Sequence, residues 1–199
     1  MDIQAYSAHA LLRDGVPVLI RAIRPTDRTG LQWGFARLSA DAVYHRFFQA
    51  KRSLSEEELR YLTEVDFRDH VALVAVAEFE GADRVVGVGR FVRLAAPDKA
   101  TPSGRAEVAF TVGEEFQGRG VATLLLDHLA RIARRLDITH FEAVVLPENR
   151  PMLEVFEHSG LAISEEARDG VVHVAMALDG PRVPGEPPVA DVRPRRSGG

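Results

Sequence analysis

The chain of 199 residues contains no cysteine, which removes disulfide frameworks, thiol nucleophiles and thiolate metal sites and fits a reducing compartment. Long apolar runs are absent too: no stretch approaches the ~20 residues needed to span a bilayer. The first ten residues lack the basic start and apolar run of a signal peptide, so the expectation is a cytoplasmic protein with no membrane partner. An excess of one charge is missing, since 25 basic residues face 29 acidic ones and only Arg193, Arg195 and Arg196 cluster. No groove for nucleic-acid phosphates is expected from such a balance. The seven histidines show no ligand-pair spacing, so no metal is expected, and no G-x-S-x-G is present to support a serine hydrolase.

What the chain does have is 46% apolar residues, enough for one substantial core and little for two. Residues 1–179 are expected to form a single domain. Residues 180–199, rich in Pro, Gly, Arg and Ser without periodicity, read as a disordered tail. Residues 16–25 read as a strand closed by Pro25, with Thr26 or Asp27 capping a helix that carries Leu31, Phe35 and Leu38. Ser39 or Asp41 caps a second helical segment bearing Val43, Tyr44, Phe47 and Phe48, and Ser55-Glu56-Glu57-Glu58 starts a third. The first third is therefore expected to be mainly helical. Residues 71–78 and 84–94 are two strands around a turn at 80–83, and 95–104 is an exposed loop. A strand at 105–113, a long amphipathic helix at 118–136 and a buried strand at 141–146 form a crossover. A helix at 149–158 and a hairpin of 161–164 with 171–178 complete an α+β fold with a mixed central sheet flanked by helices.

Between the strand ending at Gly113 and the long helix lies Gln117-Gly118-Arg119-Gly120-Val121-Ala122. The first N–H groups of a helix have no intrahelical partner and sit at its positive end, so they bind an anion wherever side chains do not block the approach. Glycines permit that approach. No Lys-Ser or Lys-Thr follows, which excludes the Walker arrangement, and Thr123 stands where a dinucleotide fingerprint requires glycine or alanine. On the two glycines alone, a tight strand-to-helix turn serves as well as an anion cradle.

This segment resembles the Q/R-x-x-G-x-G/A signature of the GNAT acetyltransferases. Asn149, Met152, Phe156, Gly160 and Leu161 match the spacing of that family's later motif. Further similarity to the GNAT domain of bacterial protein lysine acetyltransferases, the enzymes acting on acyl-CoA synthetases, runs through Leu38-Ser39-Ala40-Asp41, Arg46-Phe47-Phe48, Leu54-Ser55-Glu56-Glu57-Glu58-Leu59, Asp66-Phe67 and Arg105-Ala106-Glu107-Val108-Ala109-Phe110. The resemblance implies a GNAT fold and transfer of an acetyl group from acetyl-CoA to an amine, a protein lysine such as one on an acyl-CoA synthetase. In longer members of that group the GNAT domain is joined to a regulatory or ligase-like domain, and no such domain is expected within these 199 residues.

A lysine ammonium has a pKa of ~10.4, so attack on a thioester needs a general base. Glu107 is the candidate, as a carboxylate in an otherwise apolar strand where desolvation would raise its pKa. It lies ~16 Å along the strand from Val112, the order of an extended pantetheine arm. The resemblance places a catalytic glutamate here; the plain alternative is a strand residue facing solvent. It also implies cofactor contacts from Phe110, the backbone of Val112, Gln117, Gly118, Arg119, Gly120, Val121, Ala122, Thr123, Asn149 and Phe156. Asn149 equally suits a helix N-cap, and the two roles can coexist. Phe156 stands where many GNAT enzymes carry a tyrosine that protonates the leaving thiolate, and phenylalanine has no proton to give. Acetylation of a small amine and a weakly catalytic acetyl-CoA sensor are the alternative functions.

Overall fold

The computed structural model describes residues 2–39, 53–96 and 103–178. The expected helical segment carrying Asp41, Val43, Tyr44, Arg46, Phe47 and Phe48, the middle of the expected loop at 95–104 and the expected tail lie outside the described residues.

The chain starts with a hairpin, in which the expected first strand is preceded by one that was not expected. Strand β1 (Ser7–Leu11) pairs antiparallel with β2 (Pro17–Ala22), around the loop Arg13-Asp14-Gly15. Gly15 donates its N–H to the Leu12 carbonyl and sits at φ +84°, where glycine is favoured, which makes this a three-residue turn of a common hairpin type. A 3-10 turn at Pro25–Asp27 leads into α1 (Arg28–Ala36). Of the two expected candidates, Asp27 is the N-cap residue of α1, but its side chain accepts no N–H of that helix. Both oxygens of its carboxylate instead accept from the Arg21 guanidinium, at 2.7 and 2.8 Å, and Oδ2 also accepts the Arg24 N–H at 2.8 Å. With Asp27 only 7% exposed, these bonds offset the cost of burying its charge.

Helix α2 (Glu56–Thr63) starts as expected: Ser55 accepts from the Glu58 N–H while Glu58 reaches back to the Ser55 N–H. Strands β3 (His70–Phe79) and β4 (Ala82–Arg93) form a hairpin through Glu80 and Gly81, both at positive φ. The crossover follows, with β5 (Arg105–Val112), helix α3 (Val121–Arg135) and β6 (His140–Val145). Helix α3 begins at Val121, not at Gly118, because Gly118 and Gly120 adopt φ +71° and +94°, outside the helical region. Helix α4 (Arg150–Glu157) and the hairpin of β7 (Ala162–Arg168) and β8 (Val171–Ala177) complete the domain.

The eight strands form one mixed sheet in the order β1-β2-β3-β4-β5-β6-β8-β7, antiparallel except for β5 and β6. Helices on both faces explain why β3 is apolar almost throughout. Val71, Leu73, Ala75 and Ala77 join the larger core with Leu125, Leu129 and Ile132 of α3. Ala72 and Val74 point the other way, toward Leu31 of α1 and Leu59 and Leu62 of α2. In β4, Val86 is an extra residue between the pairs Ala75–Gly87 and Val76–Val85. Beyond it, α3 comes so close that a Cβ on Gly87 would lie 2.6 Å from a Val121 methyl.

Two polar pairs sit beside these cores. Tyr6 shares a hydrogen bond with Nδ1 of His128 on α3, and burial raises the tyrosine's pKa while lowering the histidine's. His70 lies 3.2 Å from a guanidinium nitrogen of Arg90, a residue 6% exposed that also donates to the Leu62 carbonyl. Burial first, then the Arg90 charge, pull His70 down to about 4, against the opposing pull of Asp66. Neutral His70 accepts the Arg90 hydrogen bond; a protonated ring would place two cations together.

Both histidines thus bind protons less readily folded than unfolded. Their contribution to stability is present above about pH 6.5, the ordinary histidine value, and is lost as pH falls toward 4. Melting temperature measured from pH 7.5 to 4.5 should fall across that window, and His70→Gln should fall less steeply. Equal slopes for the two proteins would show that His70 titrates alike in both states.

Candidate active site

The site arises where the sheet stops being continuous. Strands β5 and β6 pair over Arg105–His140, Ala106–Phe141 and Glu107–Glu142 and no further, while β5 stays paired with β4 to Val112 and β6 with β8 to Val145. The two strands therefore part beyond Glu107. Gly113 donates its N–H to the Val86 carbonyl on the β4 side at 3.0 Å. Successive residues of a strand turn their amide groups to opposite edges, so Phe110 and Val112 present theirs to the opening. The Val112 carbonyl accepts from the Gln117 side-chain amide at 3.3 Å.

A cleft of about 810 Å³ occupies the opening. It gathers Glu107, Phe110, Val112, Gln117, Gly118, Gly120, Val121, Ala122, Thr123, Asn149 and Phe156, residues drawn from β5, the loop before α3, α3 and α4. Arg119 is the one residue of the expected set that does not line it. Its guanidinium turns back to bond Asp14 at 2.6 Å and the Glu115 carbonyl at 3.2 Å, and stacks 4.4 Å over the Phe116 ring.

Where α3 borders the cleft, Leu124 makes the first α3 hydrogen bond, to the Gly120 carbonyl, and no side chain caps the helix. The N–H groups of Val121, Ala122 and Thr123 precede that bond and stand at the positive end of the helix dipole, where they favour an anion. At the start of α4, Asn149 is the N-cap, accepting the Met152 N–H through Oδ1 at 3.3 Å. That leaves its amide nitrogen without a partner among the described residues. Phe156 is fully buried, its ring 6.2 Å from that of Phe110.

Glu107 differs from the sequence expectation. Its apolar neighbours Ala106 and Val108 are buried on the α3 side, whereas Glu107 projects from the opposite face and is exposed. Desolvation by the strand itself is therefore absent. The register puts Val92 beside it on β4 and Glu142 beside it on β6, the latter ion-paired to Arg105. Among the described residues no group of three or more potential metal ligands occurs. No helix described is long and apolar enough to cross a membrane.

Arg13 also lines the cleft and was not expected from sequence. The β1–β2 turn docks on the loop before α3: Arg13 donates its N–H to the Arg119 carbonyl at 3.0 Å, and Asp14 holds the Arg119 side chain. The cue in the sequence is the Asp14-Gly15 pair, which announces a hairpin but not where its turn lands.

The family profile described as acetyltransferase (GNAT) domain matches residues 18–162. The chain is 34% identical over 150 residues to acetyltransferase Pat of Mycolicibacterium smegmatis, an alignment covering 75% of this chain and 42% of that one, so it spans under half of that relative. It is 31% identical over 144 residues to an acetyltransferase of Pseudomonas aeruginosa, covering 72% of this chain and 74% of the other. Among solved structures, the GNAT domain of S. lividans PAT superposes with a TM-score of 0.76 at 35% identity, over 86% of this chain and 96% of that one. A cAMP-binding acyltransferase from Mycobacterium smegmatis gives 0.59 at 29% identity, over 92% and 50%.

The glycines of the loop offer a direct check on its geometry. Gly120→Ala adds a side chain at φ +94° and brings its Cβ to 3.2 Å from Arg13 Cγ, whereas Gly118→Ala, at φ +71°, meets nothing within 4 Å. Each should lose about 1–2 kcal/mol in urea denaturation from backbone strain, with the larger loss at Gly120. Unchanged stability in both would mean that the loop is not held at positive φ.

Proposed function

The chain belongs to the GNAT acetyltransferase family, and we propose that it moves an acetyl group from acetyl-CoA to a primary amine, with a protein lysine as acceptor. The observation that carries this reading is the parting of β5 and β6 beyond Glu107, which leaves an open strand edge leading to the uncapped start of α3. A pantetheine arm has amides that can add to such an edge as a strand would, pairing with Phe110 and Val112 and taking over the carbonyl that Gln117 now satisfies. The pyrophosphate then falls at the N–H groups of Val121, Ala122 and Thr123, with Asn149 contributing its free amide from the far wall. The fit is one of length as well as chemistry, since Val112 and Glu107 are ~16 Å apart along the strand.

Acetyl-CoA supplies an activated thioester; the chain supplies position and a proton acceptor. Glu107 stands where β5 and β6 begin to part, on the sheet face shared with α1 and α2, so an amine entering from that face would meet its carboxylate before the thioester. Because Glu107 is exposed, the low-dielectric surroundings that favour proton transfer must come from the acceptor itself when it covers the cleft. A protein surface covers more than a small amine does, which favours the protein acceptor. The resemblance of residues 38–67 and 105–110 to protein lysine acetyltransferases supports the same choice. Phe156 offers no hydroxyl, and none of the described residues lining the cleft is a tyrosine, so the thiolate leaves toward solvent or as the anion.

Glu107→Gln should bind acetyl-CoA as the wild type does, by calorimetric titration, while losing about 10²- to 10⁴-fold in kcat at neutral pH. Its activity should recover as pH approaches the pKa of the amine. Wild-type turnover at neutral pH would remove Glu107 from the role of base. Mass spectrometry of acyl-CoA synthetases incubated with acetyl-CoA and the enzyme tests the acceptor; acetylation confined to small amines would overturn it.

A further inference from the structure

The loop before α3 carries one formal cation, Arg119, and that cation is spent. Asp14 holds its guanidinium at 2.6 Å, Phe116 lies beneath it, and it faces away from the cleft. The helix dipole and backbone N–H groups supply only partial charge, whereas a pyrophosphate brings two full negative charges. A side-chain cation would add the full charge that these groups lack, and the fold delivers one from a distant part of the sequence. The β1–β2 turn is fastened to the loop at two points, Arg13 N–H to the Arg119 carbonyl and Asp14 to the Arg119 side chain. That fastening lays the Arg13 stem along Gly120: Cγ, Nε and Cδ come within 3.2–3.6 Å of the point a Gly120 Cβ would occupy. The Arg13 side chain is exposed, has no carboxylate partner among the described residues, and lines the cleft beside Gly118 and Val121.

We propose that Arg13 is a cofactor-binding residue that pairs with the pyrophosphate of the CoA nucleotide, completing from the N-terminal hairpin a site the loop alone leaves short of charge. This rests on the acetyl-CoA reading above. The pair Arg13-Asp14 then divides its labour: Asp14 draws Arg119 out of the cleft and Arg13 takes the vacated electrostatic role. A guanidinium suits this better than an ammonium because its planar fork can engage two phosphate oxygens at once.

The test compares wild type, Arg13→Ala and Arg13→Lys with three donors: acetyl-CoA, acetyl-dephospho-CoA, which keeps the pyrophosphate but lacks the 3′-phosphate, and acetyl-pantetheine, which has neither. Arg13→Ala should raise the Kd about tenfold, the scale of a hydrogen bond to a charged group, and equally for acetyl-CoA and its dephospho form. Arg13→Lys should recover part of that loss. With acetyl-pantetheine, kcat/KM should be the same in all three proteins. Unchanged affinity in Arg13→Ala, a loss that disappears with the dephospho form, or a loss that persists with acetyl-pantetheine would each overturn the assignment. A wild-type protein that fails to bind acetyl-CoA at all would instead sink the underlying reading of the cleft.

Discussion

The whole site depends on a pairing that ends early. Strands β5 and β6 share three residue pairs and then separate, although each continues for several residues bound to its other neighbour. In an unbroken sheet the amide groups of Phe110 and Val112 would be consumed by β6. Here they line a gap. The gap is held apart from below, where Phe110 packs against Phe156 of α4, and β6 is drawn the other way by pairing along its full length with β8. The missing side chain of Gly89, opposite Phe110, gives that ring its place, since a Cβ there would lie 3.0 Å from it and 3.1 Å from Leu125. The opening is thus built by close packing on one face and by polar groups on the edge.

A second dependence is electrostatic. The segment from Glu114 to Arg119 is tied on both sides to distant parts of the chain. Arg37 at the end of α1 reaches Glu115 at 2.5 Å, Ser39 donates its N–H to Glu114, and Arg119 answers Asp14. These pairs are individually weak because they are exposed. Together they fix the orientation of a short segment that Gly118, with Gly120 just beyond it, would otherwise leave many conformations.

Much of this was legible in the amino acids because the determining signals are local. The Ser55–Glu58 reciprocal cap, the Glu80–Gly81 turn and the apolar stripe of α3 each declare themselves within a few residues. So does the loop of Gly118 and Gly120, as a strand-to-helix turn, although the glycines alone do not say whether it is also an anion cradle. Strand β1 escaped because it is an edge strand of mixed, half-covered residues whose alternation is faint. The exposure of Glu107 was hidden for a different reason: apolar neighbours in a strand point to the other face, so they report the burial of that face only. Asp27 sits at the cap position expected, but its carboxylate is drawn away by Arg21 of the preceding strand, a partner the local sequence does not announce. Arg13 left no local trace, for its placement depends on a contact partner 106 positions away, counted from Arg13 to Arg119 in the hydrogen bond between them.

That distance shapes how the protein comes to be made. The β1–β2 hairpin leaves the ribosome early and can close on itself through its own turn, but the surface its turn rests on does not exist until residue 119 has followed. Contacts of such sequence separation require closure of a long loop and form late. The end of the cleft beside the start of α3 is accordingly expected to be finished late in folding, by two segments that meet only once the sheet between them is complete. A partly folded chain would possess its hydrophobic core and still lack one wall of its cleft.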